Sequence, residues 1–452
     1  MLPVFRIRST KTILLLAVVI VLCLTALFVG RLHLRQTPDD DVDSLKLLRE
    51  AYMSVLENYV EKPDSKKLVL KMVDGMLATL DPHSAYLPPE PYHEMEVQMS
   101  GLFGGVGIEL GTKDGKLTVI APIDDTPAFR AGIQANDHIW KIDGTSTNGM
   151  NIAAAVKRMR GEKGTPVTLT ILRAEGTKPL VFNLIRDIIK LKSLKSRLLD
   201  SGYGFIRISQ FQERTGSEFK EALKELHVKS GGRLKGLVLD LRYNPGGLIH
   251  SCVEVVNCFI GDDINNTVIV SIKGRTPESN HVYNATLGTK EPRYPIVVLI
   301  NGGSASASEI VAGALQDHKR ALIMGTQSFG KGSVQSVIPM KGNAALKLTT
   351  ARYYTPSGRS IQAKGIVPDI EVATIKPAET HAQSNRMEIK EKDLDNRLAP
   401  TDTPGEPQPK TPDSVQSESV GQELQNDFQL RRAMELLQSL TLLRERGLIT
   451  IR

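Results

Sequence analysis

The rhythm of apolar and polar residues changes several times along the chain, and each rhythm predicts a different element. Residues 12–30 form a run of 19 without a charge. A helix of that length spans the ~30 Å hydrocarbon core of a bilayer. From residue 43 to 59, Leu45, Leu48, Tyr52, Val55 and Tyr59 fall on one helical face. Residues 68–80 read as a second helix, ended by Asp81-Pro82. Glycines then crowd residues 101–107. Short apolar strands follow at 116–120, 138–142 and 166–172, with a short helix at 151–160 that carries Ile152, Val156 and Met159 on one side. Continuous apolar runs at 237–241, 296–300 and 321–324 read as buried strands, the pattern expected where both faces of a sheet are covered. Residues 376–420 turn polar and proline-rich and read as a disordered linker. After it, Leu430, Ala433, Met434, Leu437 and Leu440 return to helical spacing.

These rhythms divide the chain into a basic flank at 1–11 and a transmembrane anchor at 12–30. A helical region follows at 36–98, then a β-rich unit at 99–188 and an α/β unit at 189–375. The linker at 376–420 and a final helix at 421–452 complete it. No repeat of 20–50 residues interrupts this order.

Charge sharpens the first segment. The formal charge is +7, yet residues 1–35 hold five Lys/Arg and no Asp or Glu, so the remainder is close to neutral. The basic excess therefore belongs to the flanks of the apolar run. Arg6, Arg8 and Lys11 before it favour an N-terminus inside, with the body outside the cytoplasm. A cleaved signal peptide is the alternative, although no A-x-A site follows. Aromatic residues are only 5%, which argues against a base-stacking nucleic-acid surface. Three cysteines exclude a disulfide scaffold. Cys252 and Cys258 read as small core residues.

The chemistry gathers in three glycine-rich stretches. Residues 325–332, Gly-Thr-Gln-Ser-Phe-Gly-Lys-Gly, nearly match a phosphate loop, but Gly332 stands where a magnesium-binding hydroxyl belongs. The alternation after it predicts a strand, whereas a phosphate loop opens a helix. What remains is a lysine between glycines. Residues 301–315 carry a buried strand into Ser304, Ser306 and Ser308 and then a helix. A serine at such a turn either caps the helix or presents a nucleophile beside its positive end. Position alone does not choose among the three. None of the nine histidines sits in a recognisable triad context. Lys331 is the best base, since burial lowers a lysine pKa. Gln335, four residues on, shares its face along a regular strand and could orient the amine. Pro245-Gly246-Gly247 follows another buried strand and could expose N–H groups for an oxyanion hole, or form an ordinary tight turn.

With these motifs in order, the chain resembles the C-terminal processing peptidases, serine–lysine proteases that carry a PDZ domain. The resemblance covers about residues 40–375. It rests on LDPHSAYL at 80–87, DLRYNPGG at 240–247, GSASASE at 303–309, GTQSFGKG at 325–332 and TARYYTPSG at 350–358. It implies Ser306 as nucleophile, Lys331 as general base, Gln335 as its support, and Gly246, Gly247 and Ala307 as the oxyanion hole. It orders residues 99–188 as the PDZ domain. There Gly105, Val106, Gly107 and Ile108 would receive a peptide carboxylate, and Ile108, Val156 and Met159 would line a side-chain pocket. Arg160 is similar to an arginine that couples peptide binding to the protease site. The implied fold is α/β plus β: a ClpP/crotonase-like core with an inserted PDZ domain, an N-terminal helical region, a C-terminal helix and an N-terminal transmembrane helix.

The expected activity is extracytoplasmic endoproteolysis of proteins recognised by their C-termini, with no metal, cofactor or nucleic acid. The expected location is the inner membrane, single-pass, with the catalytic body in the periplasm or cell exterior. The helical ends resemble segments that family members use to form homo-oligomers, and some relatives depend on a helical-repeat lipoprotein adaptor. An inactive PDZ scaffold and a nucleotide hydrolase are the rival readings.

Overall fold

The computed structural model describes residues 39–173, 178–199, 202–261, 267–373, 389–398 and 427–449. The expected anchor at 12–30, its flank at 1–11 and much of the 376–420 linker lie outside the described residues. Among the described residues, no helix is long and apolar enough to cross a membrane. The chain divides into two units, Met1–Gly75 and Met76–Arg452. The first contains the helix Asp39–Asn58 and most of the helix Ser65–Ala78, where the apolar spacing placed them.

The second unit is organised around a six-stranded sheet. Its strands run in the order Leu194–Leu199, Tyr203–Ile208, Gly236–Asp240, Ile296–Ile300, Leu322–Gly325 and Ile370–Glu371, and all pairings after the first are parallel. Both faces are covered. Leu237, Leu239, Val298 and Ile300 pack with Val255, Val256, Ile310 and Val311 from two helices. Val238, Val297 and Leu299 point the other way, onto Leu430, Ala433 and Leu437 of the helix Phe428–Glu445. This two-sided burial is why those strands read as unbroken apolar runs. Each such side chain contributes roughly 1.5–3 kcal/mol by leaving water. The C-terminal helix therefore buries its apolar stripe in its own core.

A second sheet lies beside the first. Its long strand Ala344–Tyr354 pairs with Ala85–Leu87, Val268–Gly274 and Ser333–Met340. A third sheet, ordered Ile108–Lys113, Lys116–Pro122, His138–Ile142, Pro166–Leu172 and Leu180–Ile185, encloses its own core with Ile139, Ile142, Leu169 and Ile171 fully buried. Chain entry and exit to this unit pair as a ribbon, Leu102–Gly105 against Asp187–Lys190, as an inserted domain requires.

One expectation needs correction. Within the stretch read as a disordered linker, residues 389–398 form a short 3-10 turn, Glu391–Asp393, docked on the core. Glu391 is fully buried there. This strap is held by hydrogen bonds more than by apolar surface, so its polar composition disguised it.

Candidate active site

Three loops emerge side by side from the carboxyl ends of the adjacent parallel strands Gly236–Asp240, Ile296–Ile300 and Leu322–Gly325. Such strand ends are where open α/β sheets place their chemistry. The loops are the DLRYNPGG, GSASASE and GTQSFGKG stretches.

The serines separate by burial and bonding. Ser304 Oγ donates to Leu241 O at 2.8 Å and Ser308 Oγ to Asn244 O at 2.9 Å, and both residues are fully buried. They stitch the serine turn to the Asp240–Gly247 loop. Ser306 alone of the three is half-exposed. It caps the helix Ala307–Asp317 with φ 57° and ψ −116°. A positive φ at a non-glycine residue costs on the order of 1–3 kcal/mol, and such strain clusters at functional sites.

Glu309 explains how that conformation is held. Its buried carboxylate accepts from the N–H of Ser306 (2.8 Å), Lys331 (2.9 Å) and Gly330 (2.7 Å), and from the Ser328 hydroxyl. One oxygen, Oε2, thus holds both the serine turn and the lysine loop. Burial pushes the Glu309 carboxyl up to about 7, against the four donors, which favour the ionised form. The spacing Ser306-x-x-Glu309 is that of a capping box, a signal the sequence reading passed over. Tyr353, also passed over, donates its hydroxyl to Lys331 O and touches Ser306.

Lys331 has a half-buried side chain with no hydrogen-bond partner for its amine among the described residues. Its pKa is lowered, first by burial and then by the nearby Lys347; Glu391, Glu309 and Asp81 pull the other way. No hydrogen bond joins Ser306 Oγ to Lys331 Nζ among the described residues.

Two expectations change in detail. The Gln335 amide donates to Ser333 Oγ (2.9 Å) and Thr349 Oγ1 (3.3 Å), not to Lys331. Lys331 precedes the strand Ser333–Met340, and the register shifts between Val334 and Gln335. The regular alternation on which the i, i+4 pairing depended is therefore broken by a bulge. Gly246 also differs from expectation, because its N–H is taken by Asn244 Oδ1 at 2.9 Å. The N–H groups of Gly247 and Ala307 have no acceptor among the described residues. Gly246 matters by its missing side chain. At φ 103°, a Cβ there would lie 2.7 Å from Ser306 Cβ and 2.9 Å from Ala307 N.

The second cluster lies in the inserted domain. Ile108–Lys113 is the edge strand of its sheet, and the helix Ile152–Met159 packs near it. The carbonyls of Val106 and Gly107 are turned inward, to the N–H groups of Ala128 and Ile123. The N–H groups of Val106 and Gly107 have no acceptor among the described residues. Gly107, at φ 77°, passes so close to Thr126 that a Cβ would sit 2.3 Å from its side chain. Ile108 and Val156 are half-buried, whereas Met159 belongs to the domain core. Arg160 is not a solvated helix end. Its guanidinium lies 4.6 Å from the Phe103 ring centre. Arg186, which sequence reasoning did not single out, caps the same helix by donating to Arg158 O and Met159 O.

A protease-like site on an α/β sheet and a peptide-groove domain define the class of protein, and comparison with known proteins gives the family. The model of peptidase family S41 matches residues 202–372, and that of the PDZ domain matches residues 104–184. A carboxy-terminal-processing protease of Bartonella bacilliformis is 50% identical over 324 residues, 72% of this chain and 74% of that one. The carboxy-terminal processing protease CtpB of Bacillus subtilis is 37% identical over 329 residues, 72% of this chain and 67% of its own. Among solved structures, a photosystem II D1 C-terminal processing protease aligns with 73% of this chain and 92% of its own, at 28% identity and a TM-score of 0.41. The chain belongs to peptidase family S41, as a C-terminal-processing serine protease with a PDZ domain.

Proposed function

We propose that Ser306 is the nucleophile of this protease and Lys331 its general base. The observation that carries the reading is the shared Glu309 oxygen, which holds the strained turn of the one accessible serine against the loop of a lysine with a lowered pKa. Lys331 Nζ, as the neutral amine, takes the proton from Ser306 Oγ as that oxygen attacks a peptide carbonyl. The negative oxygen of the tetrahedral intermediate is met by the N–H groups of Gly247 and Ala307, beside the positive end of the helix Ala307–Asp317. The C–N bond breaks, and the lysine ammonium gives its proton to the departing amine. Water then surrenders a proton to the same lysine and attacks the acyl-serine; the C–O bond to Ser306 breaks and the lysine returns the proton to Ser306 Oγ. Gln335 supports the lysine side of the site, with its amide fixed on Ser333 and Thr349 and no partner for its carbonyl oxygen among the described residues.

In this reading the PDZ groove takes a protein C-terminus. The carboxylate lies on the N–H groups of Val106 and Gly107, the peptide extends the edge strand Ile108–Lys113, and the last side chain meets Ile108 and Val156. The uncharged run at 12–30 with its basic flank supports a single-pass anchor that holds the enzyme outside the cytoplasm. The apolar helical face of Leu45, Leu48 and Val55 supports self-assembly through the first unit.

Proteolysis of a peptide with an apolar C-terminus by the wild type, Ser306→Ala and Lys331→Ala tests the mechanism. Both variants are expected to be inactive, and undiminished cleavage by either would remove it. Neutral lysine is the active form, so kcat rises with pH through the lysine pKa. Burial and Lys347 place that rise below the range of an exposed lysine. A flat kcat from about pH 6 to pH 10 is incompatible with a titrating base.

A further inference from the structure

The strap at 389–398 reaches the Lys331 loop from outside the stretch matched as the peptidase family, 202–372. Glu391 is its one fully buried charged residue among those described. Its N–H donates to Phe329 O at 3.2 Å, two residues before Lys331. Its carboxylate accepts from Gln362 Nε2 at 2.9 Å, and Gln362 Oε1 accepts from the N–H of Gly332 at 3.0 Å, one residue after Lys331. The loop is therefore held on both sides of the lysine by one glutamate. The same carboxylate meets His83 Nε2 at 2.7 and 2.9 Å. His83 sits in a turn closed by Asp81 and joined through Ser84 to Thr349 on the long strand. Glu391 thus ties together the 81–87 motif, the lysine loop and the 359–362 segment.

We propose that Glu391 is a positioning residue for Lys331, holding the lysine loop in register and setting the charge balance at its amine. The inference rests on the reading of Lys331 as the base. The charged groups facing Lys331 are Lys347 from the long strand, Glu391 from the strap, Glu309 from the helix start and Asp81 from the turn. Two have opposite and separable effects. Glu391 holds a proton on the lysine, and Lys347 drives it off. Removing the Glu391 charge therefore moves the acid limb of kcat to lower pH, and removing the Lys347 charge moves it to higher pH.

The test compares the wild type with Glu391→Gln, Glu391→Asp, Lys347→Met and Lys331→Ala on one peptide substrate, in the full chain, with melting curves beside the kinetics. Glu391→Gln is expected to lower kcat at least tenfold with KM unchanged, and to shift the acid midpoint to lower pH. Glu391→Asp keeps the charge but is one methylene too short to hold Gln362 and His83 together. It is expected to lower kcat with the midpoint unmoved. Lys347→Met is expected to shift the midpoint up. A merely structural role would lower stability and move no midpoint. If Glu391→Gln fails to fold, Glu391→Asp carries the test, and wild-type kcat in folded Glu391→Asp overturns the proposal. Wild-type kcat and an unmoved midpoint in folded Glu391→Gln overturn it too, with Lys331→Ala inactive. If Lys331→Ala is itself fully active, the base assignment fails first, and the inference with it.

Discussion

The serine turn and the PDZ groove are both glycine-framed sites beside a sheet, yet they are built on opposite principles. At the serine turn nearly every backbone group has a designated partner. Glu309 takes four donors, Asn244 and Asn301 bridge neighbouring loops, and Ser304 and Ser308 are locked into the Asp240–Gly247 loop. Among the described residues, what remains for chemistry is small: the half-exposed Ser306, the Lys331 amine and the N–H groups of Gly247 and Ala307. The groove has little of this internal bonding at its mouth. Among the described residues it offers an unpaired strand edge, two N–H groups without an acceptor and the half-buried Ile108 and Val156. A site that must hold reacting atoms in one geometry is over-determined, whereas a site that must accept many peptide ends keeps its contacts for the ligand. Substitutions should therefore be severe and coupled to stability at the first site, mild and confined to KM at the second.

The largest effect that would sharpen this contrast is at Glu309. Glu309→Gln keeps the shape but turns a donor toward donors, so at least one buried N–H or hydroxyl loses its acceptor. Each such loss costs about 1–3 kcal/mol. The melting temperature is expected to fall clearly and activity to drop by about a hundredfold or more. Wild-type kinetics in this variant would mean that Glu309 does not hold the two loops together.

Gly246→Ala comes next. Its Cβ would press on Ser306 Cβ and on the N–H of Ala307. We expect kcat to fall by about 10²-fold, the order seen when one oxyanion donor is lost. Stability should fall with it, because two of the three closest contacts are backbone atoms and a φ of 103° strains any side chain. A fall in stability without a fall in kcat would separate this glycine from the chemistry.

The smallest effect is in the groove. Val156→Ser should raise KM severalfold for peptides with apolar C-termini, about 1 kcal/mol of lost burial, and leave kcat and melting almost unchanged. If it lowers kcat as strongly as Gly246→Ala does, groove and serine turn are one tightly coupled site and the contrast fails.

Much of this was legible in the sequence, for particular reasons. The strands His138–Ile142, Pro166–Leu172 and Ile296–Ile300 have the bounds that their apolar patterns predict, because burial on one or both faces wrote those patterns. The three chemical loops were visible as glycine-rich stretches after buried strands. Choosing Ser306 among three serines was beyond spacing alone, since the choice depends on which hydroxyls find carbonyls in another loop. The amide partners of Gln335 were not legible, because a bulge, invisible in the residue types, breaks the strand alternation. The strap was missed because its order comes from Glu391, His83 and Gln362, three polar residues from distant parts of the chain. Glu309 carried a local capping signal and could have been found.

The central claim is that Ser306 is acylated with Lys331 as its base. Its most direct test is the rate at which a serine-directed sulfonyl fluoride modifies the intact enzyme, with the labelled residue located by mass spectrometry. The account predicts a single label on Ser306, a rate that rises with pH through the lysine pKa, and no labelling of Lys331→Ala above background. A label on another residue, or wild-type labelling of Ser306 in Lys331→Ala, would contradict it.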